Sequence, residues 1–366
     1  MLQYNNYVDG GDSMAYKCAS FFAGVGGIDL GFEKNGNFKV VFANEFDDYP
    51  IETYECNFPN LKVTKGDINK IDAKDVPDVD VIFGGFPCQA FSVAGYRKGF
   101  DDEKGRGTLF FEMFRIIKEK QPKIVFVENV KNLLTHNNGN TYRVIKGALE
   151  SEDYHVTEMV LNAMSYGNVP QNRERIYVVA FKDKNAFNRF RFPEPVELTT
   201  KLSDVIDFDN KVEEKYYYTK GKYKDEIYNA LIEGMDDEHS VYQWRRRYVR
   251  KNKSGVVPTL TANMGEGGHN VPLVKTKYGI RKLTPKECFN VQGFPKDFKL
   301  PKKMSDARLY KQAGNSVCVS VIEAIAENIA KALKEEDMNQ CKTCKKTFVV
   351  RPDENVEYCP YCGKAL

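Results

Sequence analysis

The sequence predicts an α/β protein: a doubly wound sheet, a smaller second domain placed before the last helices, and a compact cysteine module at the C-terminus. Three observations predict it. Short apolar runs alternate with helical stretches through the first half of the chain, that alternation stops after Phe181, and two Cys-x-x-Cys pairs stand together near the end.

Cys18–Phe22, Val40–Ala43, Val79–Phe83 and Ile124–Val127 are compact and rich in β-branched or aromatic residues, as parallel strands buried on both faces are. Asp47–Cys56 and Thr108–Lys120 fit the helices between them. Such alternation implies helices on both faces of a parallel sheet, with ligands bound beyond the carboxyl ends of the strands. From about 186 to 280 the pattern is broken by Pro193, Pro195, a tyrosine run at 216–218 and a glycine-rich stretch at 265–268. Leu283–Lys334 is again helical, with Val317–Leu333 a helix, and Glu335–Gln340 reads as a polar linker. The expected divisions are therefore 1–185, a first catalytic, cofactor-binding part; 186–280, a smaller domain; 281–337, a return to the first; and 338–366, the cysteine module.

The composition, 42% hydrophobic and 29% charged, suits a globular chain with a sizeable core. No apolar run approaches the roughly 18–20 residues of a membrane helix. Met1–Tyr16 is polar, carries Asp9 and Asp12, and lacks the features of a signal peptide, so no membrane partner and a cytoplasmic location are expected. A net charge of +3 does not announce a nucleic-acid partner. The stretch from Tyr242 to Lys253, however, holds Arg245, Arg246, Arg247, Arg250, Lys251 and Lys253 and no acid, and such clustering is what makes a phosphate footprint.

The candidate site residues follow the strands. Phe22, Ala23, Gly24, Gly26 and Gly27 form a turn directly after the first strand; glycines there let a ligand approach backbone N–H groups, although such a turn alone is as readily structural. Glu45 ends the second strand, where a carboxylate suits ribose hydroxyls. Asp67 follows the third, where an acid can accept from an adenine amino group. Either acid alone reads as a solvated surface carboxylate, but three successive strand ends bearing glycines, Glu and Asp point to an adenosine-containing cofactor. Cys88 follows the fourth strand in Gly84-Gly85-Phe86-Pro87-Cys88-Gln89. A free cysteine is usually a small buried hydrophobe; at a strand end beside a cofactor loop it is placed as a nucleophile. Ser92–Gly107, with Arg97 and Lys98, reads as a basic loop able to close on substrate. Glu128 ends the fifth strand, and Arg173 and Arg175 precede the strand Ile176–Ala180. Together they could hold a planar heterocycle, though each alone reads as part of a surface ion pair.

In order, residues 22–27, Pro87-Cys88-Gln89, Glu128-Asn129-Val130, Gln171-x-Arg173-x-Arg175, Arg281–Glu287 with Gln292–Pro295, and Gln312–Val317 resemble the DNA (cytosine-5)-methyltransferase family of bacterial restriction-modification systems, over about residues 17 to 333. The resemblance implies a Rossmann-like, S-adenosylmethionine-dependent methyltransferase sheet, with residues 186–280 as a target-recognition domain. It implies that Cys88 attacks C6 of a flipped cytosine, that Glu128 bonds N3 and the amino group, that Arg175 contacts O2, and that Arg173 supports the site. Phe22, Glu45, Asp67, Ile68, Pro87, Leu109, Asn315 and Ser316 resemble the shell around the cofactor. Double-stranded DNA is the implied partner, contacted by Ser92, Arg97, Arg245, Arg246, Arg247, Arg250 and Thr259, the last in a Thr259-Leu260 element similar to one in recognition domains. A monomer associated with the nucleoid, and a restriction endonuclease encoded nearby, are expected. The chemistry asks for these residue types independently. C5 of cytosine is a poor nucleophile until a thiolate adds at C6, an acid at N3 neutralises the developing charge, and the base must leave the stack to be reached.

Cys341-x-x-Cys344 and Cys359-x-x-Cys362 resemble a zinc ribbon, with Phe348–Val350 and Val356–Tyr358 as a hairpin between the two pairs; iron in a rubredoxin-like site is the alternative. Four thiolates leave no open position, so the metal is expected to be structural. Two rival functions remain at this point. An RNA cytosine-5 methyltransferase shares the catalytic set, but the Cys-Phe-Thr segment of that branch is missing here. A non-catalytic DNA-binding protein on the same fold is disfavoured by the intact Cys88, Glu128 and Arg175. Replacing Arg245–Arg247 with alanine should weaken DNA binding and flatten its salt dependence; an unchanged slope in a salt titration would place the phosphate grip elsewhere.

Overall fold

The computed structural model describes residues 15–86, 109–222, 224–245, 247–252, 254–266, 270–334, 337–350 and 358–364. Pro87, Cys88, Ser92, Arg97 and Arg246, all named above, lie outside the described residues. The first part runs β1 Tyr16–Phe21, α1 Gly27–Glu33, β2 Phe38–Glu45, α2 Asp48–Asn57, β3 Thr64–Lys65, β4 Val81–Gly84, α3 Leu109–Lys120, β5 Ile124–Val130 and α4 Asn140–Glu150. It continues through β6 His155–Asn162, α5 Ala163–Tyr166, β7 Gln171–Asn172, β8 Glu174–Phe181 and α6 Lys184–Arg189. Then come α7 Leu202–Val205, α8 Asp225–Gly234, β9 Val241–Trp244, β10 Val249–Lys251, β11 Val257–Pro258, β12 Leu273–Thr276 and β13 Gly279–Lys282. The chain closes with α9 Pro285–Asn290, α10 Asp306–Asn315, α11 Val319–Leu333, β14 Asp337–Gln340 and β15 Thr347–Val350.

The main sheet has seven strands in the order β3-β2-β1-β4-β5-β8-β6. The expected strands are present; β2 and β5 run past their apolar kernels, because their ends carry Asn44, Glu45, Glu128 and Asn129 as well, whereas β4 is one residue shorter than its kernel. β3, β2, β1, β4 and β5 are mutually parallel, and β8 runs antiparallel to both β5 and β6. The sheet is therefore mixed, where the sequence suggested parallel strands. The link from β6 to β8, residues 163–173, is too short for a parallel crossover through a full helix, so the chain turns back beside β6. Alternate residues face opposite layers. Cys18, Val40, Phe83, Phe126 and Val179 pack with α1 and α11, whereas Phe21, Ile82, Val125, Val127 and Val178 pack with α3 and α4. Strand order reverses between β1 and β4, so the turn after β1 and the segment after β4 face each other at the switch point where such sheets bind ligands.

A second, four-stranded antiparallel sheet, β10-β9-β12-β13, packs on α8 through Leu231, Met235, Tyr242, Leu273 and Ile280. β13 spans the expected division between 280 and 281, so Arg281 and Lys282, placed by the sequence in the return to the first domain, lie on this sheet. The polar linker is a second difference. Its end, Asp337–Gln340, is β14, paired antiparallel with β15. Hydrogen bonds from Lys345 N to Cys341 O at 2.9 Å and from Cys341 N to Lys346 O at 3.0 Å close a tight turn, which brings the flanking residues side by side. Most of Val356–Tyr358, the expected partner of Phe348–Val350, lies outside the described residues. None of the helices among the described residues is long and apolar enough to cross a membrane.

One polar group sits deep beneath the turn after β1. Asp29 on α1 is fully buried and accepts from Tyr54 OH at 2.7 Å and from Ser20 Oγ at 3.0 Å. Burial raises its carboxyl from 3.8 to about 7, against the opposing pull of those hydrogen bonds. An acid whose pKa is raised on folding stabilises the fold at low pH, and that stability is lost as pH climbs through the folded value. Stability should therefore decline between about pH 4 and about pH 7 in the wild type, and less so in Asp29→Asn; parallel pH profiles of the two in urea melts would refute this.

Candidate active site and metal centre

The candidate cofactor edge is built by strand ends. Phe22, after β1, has φ 54°. Aromatic residues rarely adopt this region, at a cost of roughly 1–3 kcal/mol, and such strain collects at functional sites. Gly24 and Gly26 follow at φ 56° and 84°, a path that other residues would resist. Gly24 N donates to Glu45 Oε2 at 2.8 Å, and Glu45 Oε1 accepts from Phe46 N at 2.8 Å and Asp47 N at 3.0 Å. The glutamate is thus fixed at the mouth of the glycine turn. Asp67 follows β3, which pairs with the end of β2. It accepts from Asn69 Nδ2 and Asn69 N, and these bonds lower its pKa, keeping it an acceptor. Ile68 is buried behind it, Leu109 is half-buried at the start of α3, and Ala23 is buried inside the turn. A β-carbon on Gly27 would fall 2.7 Å from Ser316 Oγ, so the segment after α10 closes on the turn, with Asn315 exposed beside it. Sequence reading missed Phe46. It is 72% exposed at this edge, and the available signal was an aromatic directly after a strand-end acid.

The second edge lies across β5 and β8. Glu128 pairs in register with Tyr177, and Val130 with Arg175, so Glu128 and Arg175 are diagonal neighbours whose long side chains meet. Glu128 Oε1 lies 3.2 Å from Arg175 Nε, yet no hydrogen bond to it is aligned. Burial raises the Glu128 pKa, while the charges of Arg175 and Arg173 lower it. A β-carbon on Gly85 would fall 3.2 Å from Glu128 Oε2, so the backbone at Gly85, three residues before Cys88 in sequence, lies against this carboxylate. Asn129 Nδ2 donates to Phe86 O at 2.9 Å and holds that backbone in place. Arg175 also donates to Glu174 O at 2.8 Å. Arg173 points elsewhere: it is buried, and its guanidinium meets backbone carbonyls of Leu260, Gly314 and Ser316. Burial first, then the charge of Arg175, lowers its pKa to about 9, so it stays cationic at neutral pH.

Arg245, Arg247 and Arg250 are exposed on and around the β9–β10 hairpin, with Arg250 hydrogen-bonded to Gln243 Oε1. Lys251, counted with them in the sequence, is held by Asp236 and Asp237 at 3.1 Å each. Thr259 is exposed and donates to Asn172 O at 2.6 Å. The sulfur atoms of Cys341, Cys344, Cys359 and Cys362 all lie within 4.8 Å of one another. Cys341 and Cys362 are 3.6 Å apart, and Cys344 and Cys359 3.7 Å; a tetrahedral ion with metal–sulfur bonds of about 2.3 Å requires about 3.8 Å. Backbone N–H groups of Cys344 and Tyr361 donate to Cys341 and Cys359 sulfur, each at 3.4 Å, as suits thiolates.

The C-5 cytosine-specific DNA methylase family matches residues 16–331. The chain belongs to this family. It is 58% identical over 315 residues to the type II methyltransferase M.Bsp6I of Bacillus sp. (strain RFL6), covering 86% of this chain and 98% of that one. It is 41% identical over 323 residues to the type II methyltransferase M.HhaI of Haemophilus parahaemolyticus, covering 85% and 93%. Among solved structures, a Spodoptera frugiperda DNMT2 mutant shares the fold with a TM-score of 0.66 at 20% identity, over 86% of this chain and 99% of that one. A putative DNA modification methyltransferase from an E. coli prophage gives 0.63 at 21%, over 87% and 99%. The chain is thus a cytosine-C5 DNA methyltransferase, and the cysteine cluster lies beyond the region the family matches.

Proposed function

We propose that this methyltransferase takes its methyl group from S-adenosylmethionine and places it on C5 of a cytosine flipped out of a specific duplex site, through a transient bond between Cys88 and C6. The observation that carries the reading is the buried, incompletely bonded Glu128 carboxylate beside Arg175, with the backbone at Gly85, three residues before Cys88 in sequence, lying against it. The glycine turn, Glu45, Phe46 and Asp67 offer the cofactor backbone N–H groups, a fixed carboxylate, an exposed ring and an ionised acceptor, a set that fits an adenosine. When bound, S-adenosylmethionine supplies an electrophilic methyl on a positively charged sulfur. The Cys88 thiolate gives its electron pair to C6, and the C5–C6 π pair becomes nucleophilic at C5. Glu128, its pKa raised by burial, donates a proton toward N3 as charge builds there. Arg175 can only donate, which suits O2. After methylation C5 gives its proton to solvent water, that bonding pair restores the C5–C6 double bond as the sulfur of Cys88 leaves with its electron pair, and N3 returns its proton to Glu128.

Residues 186–280 read the sequence, with Arg245, Arg247 and Arg250 gripping phosphate or guanine, and Ser92, Arg97, Arg246 and Thr259 supply further DNA contacts. The four cysteines hold one structural zinc, whose loss would unfold a module too small to bury a core. The enzyme works as a cytoplasmic, nucleoid-bound monomer beside a companion restriction endonuclease.

Duplex DNA carrying 5-fluorocytosine in the recognised site, mapped first by bisulfite sequencing, should trap the enzyme covalently, and Cys88→Ser should not be trapped. Trapping on RNA alone would favour an RNA methyltransferase, and absence of trapping a non-catalytic protein. Glu128→Gln should lower the methylation rate about 10²–10⁴-fold; a near-normal rate would remove Glu128 from the chemistry. The purified protein should carry about one zinc per chain by elemental analysis, lost in a Cys359→Ser, Cys362→Ser double variant, as expected for a four-thiolate site. Equal metal content in the two would refute the centre, and stoichiometric iron would replace zinc.

A further inference from the structure

Residues 257–261 supply no reacting group, yet both edges of the site close on them. β11 pairs in parallel with β7, Val257 against Gln171 and Pro258 against Asn172. Gln171 uses both ends of its amide: Oε1 accepts from Leu260 N at 3.2 Å, and Nε2 donates to Val291 O at 3.3 Å. Arg173, 2% exposed, donates to Leu260 O at 2.8 Å, to Gly314 O at 3.3 Å and to Ser316 O. From the other side α10 leaves no slack. A β-carbon on Gly314 would fall 2.1 Å from the carbonyl carbon of Thr261.

Burying a guanidinium is costly unless its donors are satisfied. Here three carbonyls accept from Nη1 and Nη2, Nε being left without a partner, and the carbonyls of Gly314 and Ser316 belong to the C-terminal end of α10, where the helix dipole favours a cation. The guanidinium thereby ties together three parts of the site. Leu260 follows the exposed Thr259 of the DNA-facing segment. Ser316 touches Gly27 in the cofactor turn. Arg173 itself lies two residues before Arg175, the partner of Glu128.

We propose that Arg173 is a positioning residue that locks the DNA-facing segment Thr259–Thr261 to the strand bearing Arg175 and to the Asn315–Ser316 turn, so that seating the correct DNA and aligning the base and cofactor pockets are one event. The inference rests on residues 186–280 being the part that reads DNA. Arg173→Lys keeps the charge but reaches one carbonyl in place of three. It should lower the ratio of kcat/KM on the recognised site to that on a site with one base pair changed by about tenfold or more, and raise KM for S-adenosylmethionine. A role in stability alone would lower the amount of active enzyme and reduce kcat on both DNAs in proportion, leaving the ratio and KM intact; that result overturns the proposal.

The wild-type protein gives a second measurement that no folding defect can obscure. Adding S-adenosylhomocysteine without DNA should slow hydrogen exchange of the peptide covering 257–264, because Ser316 and Leu260 share one guanidinium. Unchanged exchange there, with protection confined to the cofactor turn, also overturns the proposal. The alanine variant at Arg245–Arg247 separates the two readings. If it keeps its DNA affinity and site preference, the assignment of DNA reading to that domain fails. If it loses them while Arg173→Lys keeps its discrimination ratio, the clamp alone fails.

Discussion

The site depends on burying Glu128 where it cannot be fully neutralised. Burial pushes its proton affinity up, and the charges of Arg175 and Arg173 pull it down. Desolvation is the larger effect, so the carboxyl is poised to carry a proton at higher pH than an exposed glutamate would. The poise depends on register. A one-residue slip of β8 against β5 would turn Arg175 to the opposite face and leave Glu128 buried without a cation. The antiparallel pairing of β8 with β5 holds that register, Glu128 opposite Tyr177 and Val130 opposite Arg175.

What was legible in the sequence was local. Glycines after β1, an acid at the end of β2 and a second acid after β3 each act within a few residues of a strand end, and alternation of apolar runs exposes those ends. The ties of Arg173 were not legible. Its carbonyl partners lie 87, 141 and 143 positions away, and nothing in Gln171-x-Arg173-x-Arg175 separates a residue that faces a base from one that faces backbone. Lys251 shows the same blindness in reverse. It sits in a stretch without acids, yet the hairpin carries it to Asp236 and Asp237, so the phosphate footprint has less free charge than the sequence suggests. Phe46 escaped because an exposed aromatic has no periodic signature. The strand at Asp337–Gln340 escaped because Asp337, Asn339 and Gln340 leave no apolar run in the sequence to mark it.

The way the second sheet is fastened to the first follows from the same preference for directional contacts over apolar ones. Arg281 and Glu287, both buried, meet through two hydrogen bonds of 2.8 Å, and Glu287 also accepts from Asp207 N and Thr284 N. Gln292 donates to Ala313 O, and Gln171 and Arg173 reach Val291, Leu260, Gly314 and Ser316. Apolar packing also crosses this seam, through Val257, Leu260, Phe289 and Tyr310. Such packing is non-directional and would tolerate a small slide. A fork of N–H groups aimed at fixed carbonyls does not, because a shift of an ångström leaves buried donors unsatisfied, at about 1–3 kcal/mol each. Buried polar groups therefore add little net stability here and much positional constraint. Under the proposed function, an enzyme that must place one base against one methyl donor needs that constraint where the proposed DNA-facing segment meets the proposed catalytic edge, and there the buried guanidinium of Arg173 is found.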